Sequence, residues 1–567
     1  MRPGGRGAAV SAAAVLSASA LLAAIRAVEP SLERADRIFV NGTVWTGEPD
    51  RPHAQALALR GNRILAAGTN GDVRALAGPA TAVVDLQGRF VSPGFNDAHL
   101  HLLFVETVDL AGAADVREVQ TRIAAYARAN PQSSWITGRG WAYGSFPDGL
   151  PHRAQLDEVV SDRPAFMTGY DGHTGWANSR ALAAAGITRD TPDPDQGVIV
   201  RDARGEPTGV LKESALALVR RLVPPPSDEE KYQALKRRLD EASSYGLTSV
   251  QNASALDLPI FERVLGEGGL KVRVYSALPF RKDLPAEELA RYKALRDRYR
   301  GPLFKYGAVK GFVDGVVETG TAAMFEPYVV TPGTGLPNWT AADLDQTAAY
   351  YDREGFQIFL HAIGDKGIAM ALDAYAHAAR ANGSSGRRHR VEHIEVPRLS
   401  DLPRFKALGV VASTQAIFAN PDPNTTGVYA KNLGPEREMR AMPFKAIDDA
   451  GAVQPFGSDF PVFSMEVLPA LYCAVMRRTP EGEPAGGWNP GQRIGAEAAL
   501  RHFTRDAAWA SFDEDVKGVL APGKLADLVV LSHDILAGPP ERILKARVLL
   551  TVMDGRDTFR APELDAR

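Results

Sequence analysis

The spacing of apolar positions changes character along the chain. From about Arg37 to Phe90, short alternating runs are broken at Asn41-Gly42, Arg60-Gly61-Asn62 and Gly68-Thr69-Asn70. That pattern predicts brief β-strands joined by turns. The far end has the same character: Asp527 to Leu531, Val548 to Met553, then Asp554-Gly555 placed as a hairpin turn. Between the two ends, strand-like runs alternate with helical ones, the mark of a repeating βα barrel. The predicted strands are Leu247 to Asn252, Lys271 to Ala277, Tyr306 to Val313, Gln357 to His361, Arg390 to Ile394, Val410 to Gln415 and Gln454 to Gly457. Helices are predicted over Glu229 to Tyr245 and Gly367 to Arg380.

Candidate chemistry sits where these strands end. His99 and His101 are separated by one residue after an apolar run, and side chains on a strand alternate with a period of two. Both imidazoles therefore face the same way and can share a metal ion. His361 closes one apolar run, His393 another, and Asp459 a third. Together they offer nitrogen and oxygen ligands suited to Zn²⁺ or a similar divalent ion. Lys310 lies among apolar residues on a predicted core strand, which is costly unless the amine is paired, neutral or modified. Carboxylated by CO₂ to N6-carboxylysine, it could bridge two metals. Taken singly, each residue has an ordinary alternative: a core histidine, a helix cap, a lysine reaching solvent. Their joint position at strand ends favours one site of one or two ions.

Composition narrows the class only a little. A 567-residue chain suggests two or three packed units, and 45% hydrophobic with 23% charged residues is ordinary for a globular protein. A net charge of −3 with no basic run gives no sign of nucleic-acid binding. The single cysteine, Cys473, excludes an internal disulfide and a thiolate-rich zinc site. Arg2 and Arg6 precede an apolar stretch from Ala8 to Ile25, so residues 1–30 read as a signal peptide or an uncleaved signal-anchor. The expected location is periplasmic or secreted, with membrane attachment only through that segment. The expected partner is a small-molecule substrate. Oligomeric state is unspecified, and a homodimer is compatible with the sequence.

Several motifs together resemble the amidohydrolase superfamily, and most closely the YtcJ-like branch of its family 3, which includes N-substituted formamide deformylases. They are Pro93 to His101, Asp171 to Ser179, Val309 to Gly315, His361 to Asp365, Val391 to Ile394, Gly457 to Pro461 and Gly518 to Val530. The resemblance implies an α/β fold. A (β/α)₈ TIM-like barrel spans residues 94–507, beside a composite β-sandwich from residues 31–93 plus 508–567. The stretch from His101 to Lys310 is far longer than a few βα units need, and the resemblance implies an insertion, about residues 112–225, over the barrel mouth. Within it, Trp141, His173, Trp176 and Asn178 form a mix able to stack on an acyl or aromatic group and bond an amide.

The expected activity is hydrolysis of a carbon–nitrogen bond other than a peptide bond by metal-activated water. The ligands are His99, His101, Lys310, His361, His393 and Asp459, with Asp459 moving the proton and His173 polarising the carbonyl. Glu392 and Asp97 are candidates for orienting the imidazoles. A lactone or ester hydrolase, an isomerase, and a non-catalytic metal-containing binding protein remain alternatives.

Overall fold

The computed structural model describes residues 1, 33–105, 107–147, 149–169, 174–195, 197–318, 320–330, 333–383 and 386–564. The segment read as a signal lies almost wholly outside them, and His173 lies outside them too. Among the described residues, no helix is long and apolar enough to cross a membrane.

Seven parallel strands form the central sheet: β1 (Phe95–Leu100), β2 (Leu247–Asn252), β3 (Arg273–Pro279), β4 (Phe304–Phe312), β5 (Gln357–Ala362), β6 (Arg390–His393) and β7 (Val411–Ser413). They pair in sequence order. Every residue of β1, β2, β5, β6 and β7 is buried, as expected of parallel strands covered on both faces. The run predicted over Gln454 to Gly457 is too irregular to count as a full strand, yet it fills the eighth place. On one side Ala412 N donates to Val453 O (2.9 Å) and Gly457 N to Thr414 O (2.9 Å). On the other, Ala98 N donates to Phe456 O (2.9 Å) and Asp459 N to His99 O (2.7 Å). The ring is thereby closed.

Helices follow the strands with recognisable boundaries. Asp228–Ser244 opens on a capping box, Ser227 with Glu230, and Asp365–Asn382 stops at Gly383, whose φ of 82° suits glycine. Thr69 is likewise the cap of a short helix, Asn70–Arg74, where the sequence suggested only a turn.

Both chain ends meet in one sheet. Strand Leu528–Leu531 lies between Val548–Met553 and Phe90–Pro93, with Leu528 opposite Pro93 and Val530 opposite Val91. A second sheet of N-terminal strands faces it, and Phe39, Leu57, Val91, Leu528, Val530 and Val552 fill the space between. Asp554 and Gly555 have φ of 56° and 76°, the left-handed pair that a tight hairpin turn needs. The sandwich is tied to the barrel by a buried cation. Arg273 on β3 donates to Asp527 (2.6 and 2.9 Å) and to Asp554 (2.8 Å).

The insertion builds its own six-stranded sheet from residues 108–213. It reaches the barrel mouth through Arg139, which donates to Pro461 O (3.2 Å) and lies over the Phe104 ring. Trp141 and Trp176 are fully buried against Phe146 inside this unit, and the Trp141 indole donates to Met167 O (3.3 Å). Asn178 caps Ser179–Ala184: its Oδ1 accepts from Ala165 and Ala181, and its Nδ2 donates to Val160 O and Arg163 O. The expectation that these three residues face a substrate is therefore corrected. Their rings and amide are consumed in packing the insertion itself.

Replacing Arg273 by Met would leave Asp527 buried without its cation, so unfolding free energy should fall by about 3–5 kcal/mol. Denaturant titration measures this, and an unchanged midpoint would show that the sandwich is held by apolar contact alone.

Candidate metal centre

The C-terminal ends of parallel barrel strands all open on one face. That geometry brings His99 and His101 from β1, Lys310 from β4, His361 from β5, His393 from β6 and Asp459 from the closing segment to the same mouth. Asp459 Oδ1 lies 3.1 Å from His101 Nε2 and 3.4 Å from His99 Nε2. Ring centroids are 4.9 Å apart for His99 and His393, and 4.5 Å for His361 and His393. Ligand atoms of His99, His393 and Asp459 all fall within 4.8 Å of one another. His393 and Asp459 have φ of 78° and 56°, uncommon for residues with a side chain. The chain turns sharply at both strand ends, which aims these two groups inward.

The hydrogen bonds around the imidazoles test whether the cluster fits a cation. His99 Nδ1 is bonded to Glu392 Oε2 at 2.6 Å, and a carboxylate only accepts, so Nδ1 carries the proton. His99 Nε2 is left as a buried atom with no hydrogen-bond partner. His393 Nδ1 donates to Gln415 Oε1 (2.8 Å) and His361 Nε2 to Gly315 O (3.1 Å). Each ring therefore keeps one lone pair to offer, the arrangement found for metal-ligating histidines. The donor set of neutral nitrogens and carboxylate oxygen fits Zn²⁺ or a similar ion.

Electrostatics support the same conclusion. Burial, reinforced by Lys310, brings His361 down to about 3. Burial also depresses His393 and His101, so all three are uncharged at neutral pH. His99 differs: burial and Lys310 press it down, but Glu392 and Asp459 outweigh them and leave it raised. Burial pulls the Lys310 amine down to about 8, against the opposing carboxylates Glu392 and Asp459. Burial raises Asp459 too, but the adjoining His101 and His99 imidazoles hold it well below the usual carboxylate range.

Of the two residues expected to orient imidazoles, Glu392 does so and Asp97 does not. Glu392 orients His99 across the barrel and not its neighbour His393, because adjacent strand residues face opposite ways. Asp97 Oδ1 accepts from the backbone of His99 (3.0 Å) and Ser458 (3.1 Å), pinning two strand ends where an imidazole contact was expected. Gln415 and Arg390 were not singled out from the sequence. A polar residue closing the apolar run Val410 to Gln415 was the only signal for the first.

Comparison with known proteins now identifies the architecture. The sequence model of the amidohydrolase family matches residues 82–559. The chain belongs to amidohydrolase family 3. Among its relatives is the protein LONG AFTER FAR-RED 3 of Arabidopsis thaliana, 32% identical, covering 93% of this chain and 92% of that protein. The putative amidohydrolase YtcJ of Bacillus subtilis is 29% identical over 92% of this chain and 99% of its own length. An N-substituted formamide deformylase of Arthrobacter pascens is 28% identical over 92% and 97%. An uncharacterized metal-dependent hydrolase of Pyrococcus furiosus superposes with a TM-score of 0.71 at 25% identity, covering 88% of this chain and all of that one. This amidohydrolase is accordingly a metal-dependent hydrolase of the superfamily.

Two outcomes test the centre. Protein purified without chelator should carry a Zn²⁺-like ion that the double variant His99→Ala, His101→Ala loses, as read by elemental analysis; full metal in the variant contradicts the assignment. Acidification is the complement. The ion must displace the proton that the raised His99 takes up, so affinity should fall by about tenfold per pH unit below the His99 pKa. Chelator-buffered titrations measure this, and affinity independent of pH contradicts it.

Proposed function

We propose that this amidohydrolase cleaves the C–N bond of an N-acyl amine or an N-substituted formamide. The observation that carries the reading is the unpartnered, buried His99 Nε2 beside Asp459, on the face where a barrel enzyme works. The likeness to the N-substituted formamide deformylase of Arthrobacter pascens supports the amide class. His99, His101, His361, His393 and Asp459 would hold Zn²⁺ or a similar ion. Such an ion lowers the pKa of water from ~15.7 to about 7 and polarises a carbonyl.

The remaining work falls to the chain. Asp459, held ionised by its histidine neighbours, takes the proton of the attacking water and delivers it to the leaving amine. Glu392 and Gln415 keep His99 and His393 in the tautomers that leave one nitrogen free. Lys310, once carboxylated, would offer carbamate oxygens in place of an amine and so allow the site a second ion. Supporting this, its buried amine is partly neutral near pH 8 and is electrostatically coupled to all four histidines. Residues 1–30 direct export to the periplasm or beyond.

A panel of N-acyl amines and formamides offered to the metal-loaded protein tests the substrate class; turnover of lactones alone would overturn it. Asp459→Asn should lower kcat by about 10²–10⁴-fold with the fold retained. Near wild-type turnover would give the proton to another residue. Lys310→Ala should lose metal and activity together, with short carboxylic acids restoring part of both. If acids restore nothing and one ion stays bound, the bridging role is wrong.

A further inference from the structure

Arg390 lies inside the barrel with no solvent exposure, directly beneath the metal centre. A guanidinium cannot shed its charge, and burying it is expensive unless every donor is met. Here its donors are met from three other parts of the ring as well as from its own strand. Its Nε donates to Glu392 Oε1 (2.7 Å), and one terminal nitrogen shares its two hydrogens among Glu392 Oε2 (3.0 Å), Ala98 O (2.6 Å) and Ser413 Oγ (2.9 Å). The other terminal nitrogen donates to Gln251 Oε1. The plane of the guanidinium also stacks over Phe359, 3.8 Å from the ring centre.

This geometry leaves Glu392 no freedom. Both its oxygens are gripped by the fork, and Oε2 has its remaining lone pair aimed at His99 Nδ1, 2.6 Å away. We infer that Arg390 is the positioning residue of the centre: through Glu392 it fixes the orientation of His99 and the tautomer that leaves Nε2 free. The same residue ties β1, β2, β6 and β7 together below His99 on β1 and His393 on β6. A lysine keeps the charge but cannot supply the planar fork. Groups that orient metal ligands in this way typically govern 10–100-fold in metal affinity. The inference rests on the metal-hydrolase reading of the site.

The test is a double-mutant cycle read by competition for Zn²⁺ with a chromophoric chelator, independent of turnover. Arg390→Lys and Glu392→Gln should each weaken Zn²⁺ binding by about 10–100-fold, and the double variant should be no weaker than Glu392→Gln alone. Circular dichroism on the chelator-stripped proteins checks that the barrel persists. If Arg390→Lys does not fold, Ser413→Ala removes a single guanidinium contact and should give a smaller loss that also vanishes in the Glu392→Gln background. Wild-type affinity in folded Arg390→Lys, or losses that simply add in the double variant, would overturn the inference. A wild-type chain that binds no Zn²⁺ would overturn the metal reading itself.

Discussion

The closure of the barrel by residues 453–460 is the interaction on which the centre depends. His99 and Asp459 are 360 residues apart in sequence, and they meet because Ala98 N, Asp459 N and His101 N bond across the β1 seam to Phe456 O, His99 O and Phe460 O. Gly457 makes that approach possible. A Cβ there would stand 2.5 Å from His99 N and 2.8 Å from His99 Cβ, so any side chain would pry the seam open at the ligand itself. Asp97 adds the side-chain half of the seam by accepting from both His99 and Ser458.

Closure alone would produce a mouth full of unbalanced polar groups. The structure balances them in layers. Arg390 and Glu392 form a compensated pair below, and Glu392 spends its remaining lone pair on His99. Above, burial leaves His361, His393 and His101 uncharged and draws the Lys310 amine toward neutrality. A divalent cation suits such a set, because its ligands must be deprotonated to bind. The positive φ of His393 and Asp459 fits this account, since strained backbone gathers where function demands it.

The gathering of His99, His101, Lys310, His361, His393 and Asp459 at one mouth was legible in the sequence because a barrel converts position along a strand into position in space. His-x-His at the end of an apolar run, a lysine in a buried strand and an aspartate after another run needed only the period-two rule. The two-ended sandwich and its Asp554-Gly555 turn followed from local pattern and family resemblance. What local pattern could not show were contacts across the ring. Glu392 meeting His99 and not its neighbour, Gln415 holding His393, and Arg390 spanning three other parts of the ring depend on tertiary register. The insertion misled for a related reason: Trp141, Trp176 and Asn178 looked like binding groups, but a small unit needs large side chains and caps for its own core.

Anomalous diffraction at the zinc edge from metal-loaded crystals tests the central claim most directly. The account predicts a peak bounded by His99, His393 and Asp459, with bonds of about 2.0–2.2 Å to nitrogen and oxygen. Density bound elsewhere, with these three side chains unliganded, would contradict it.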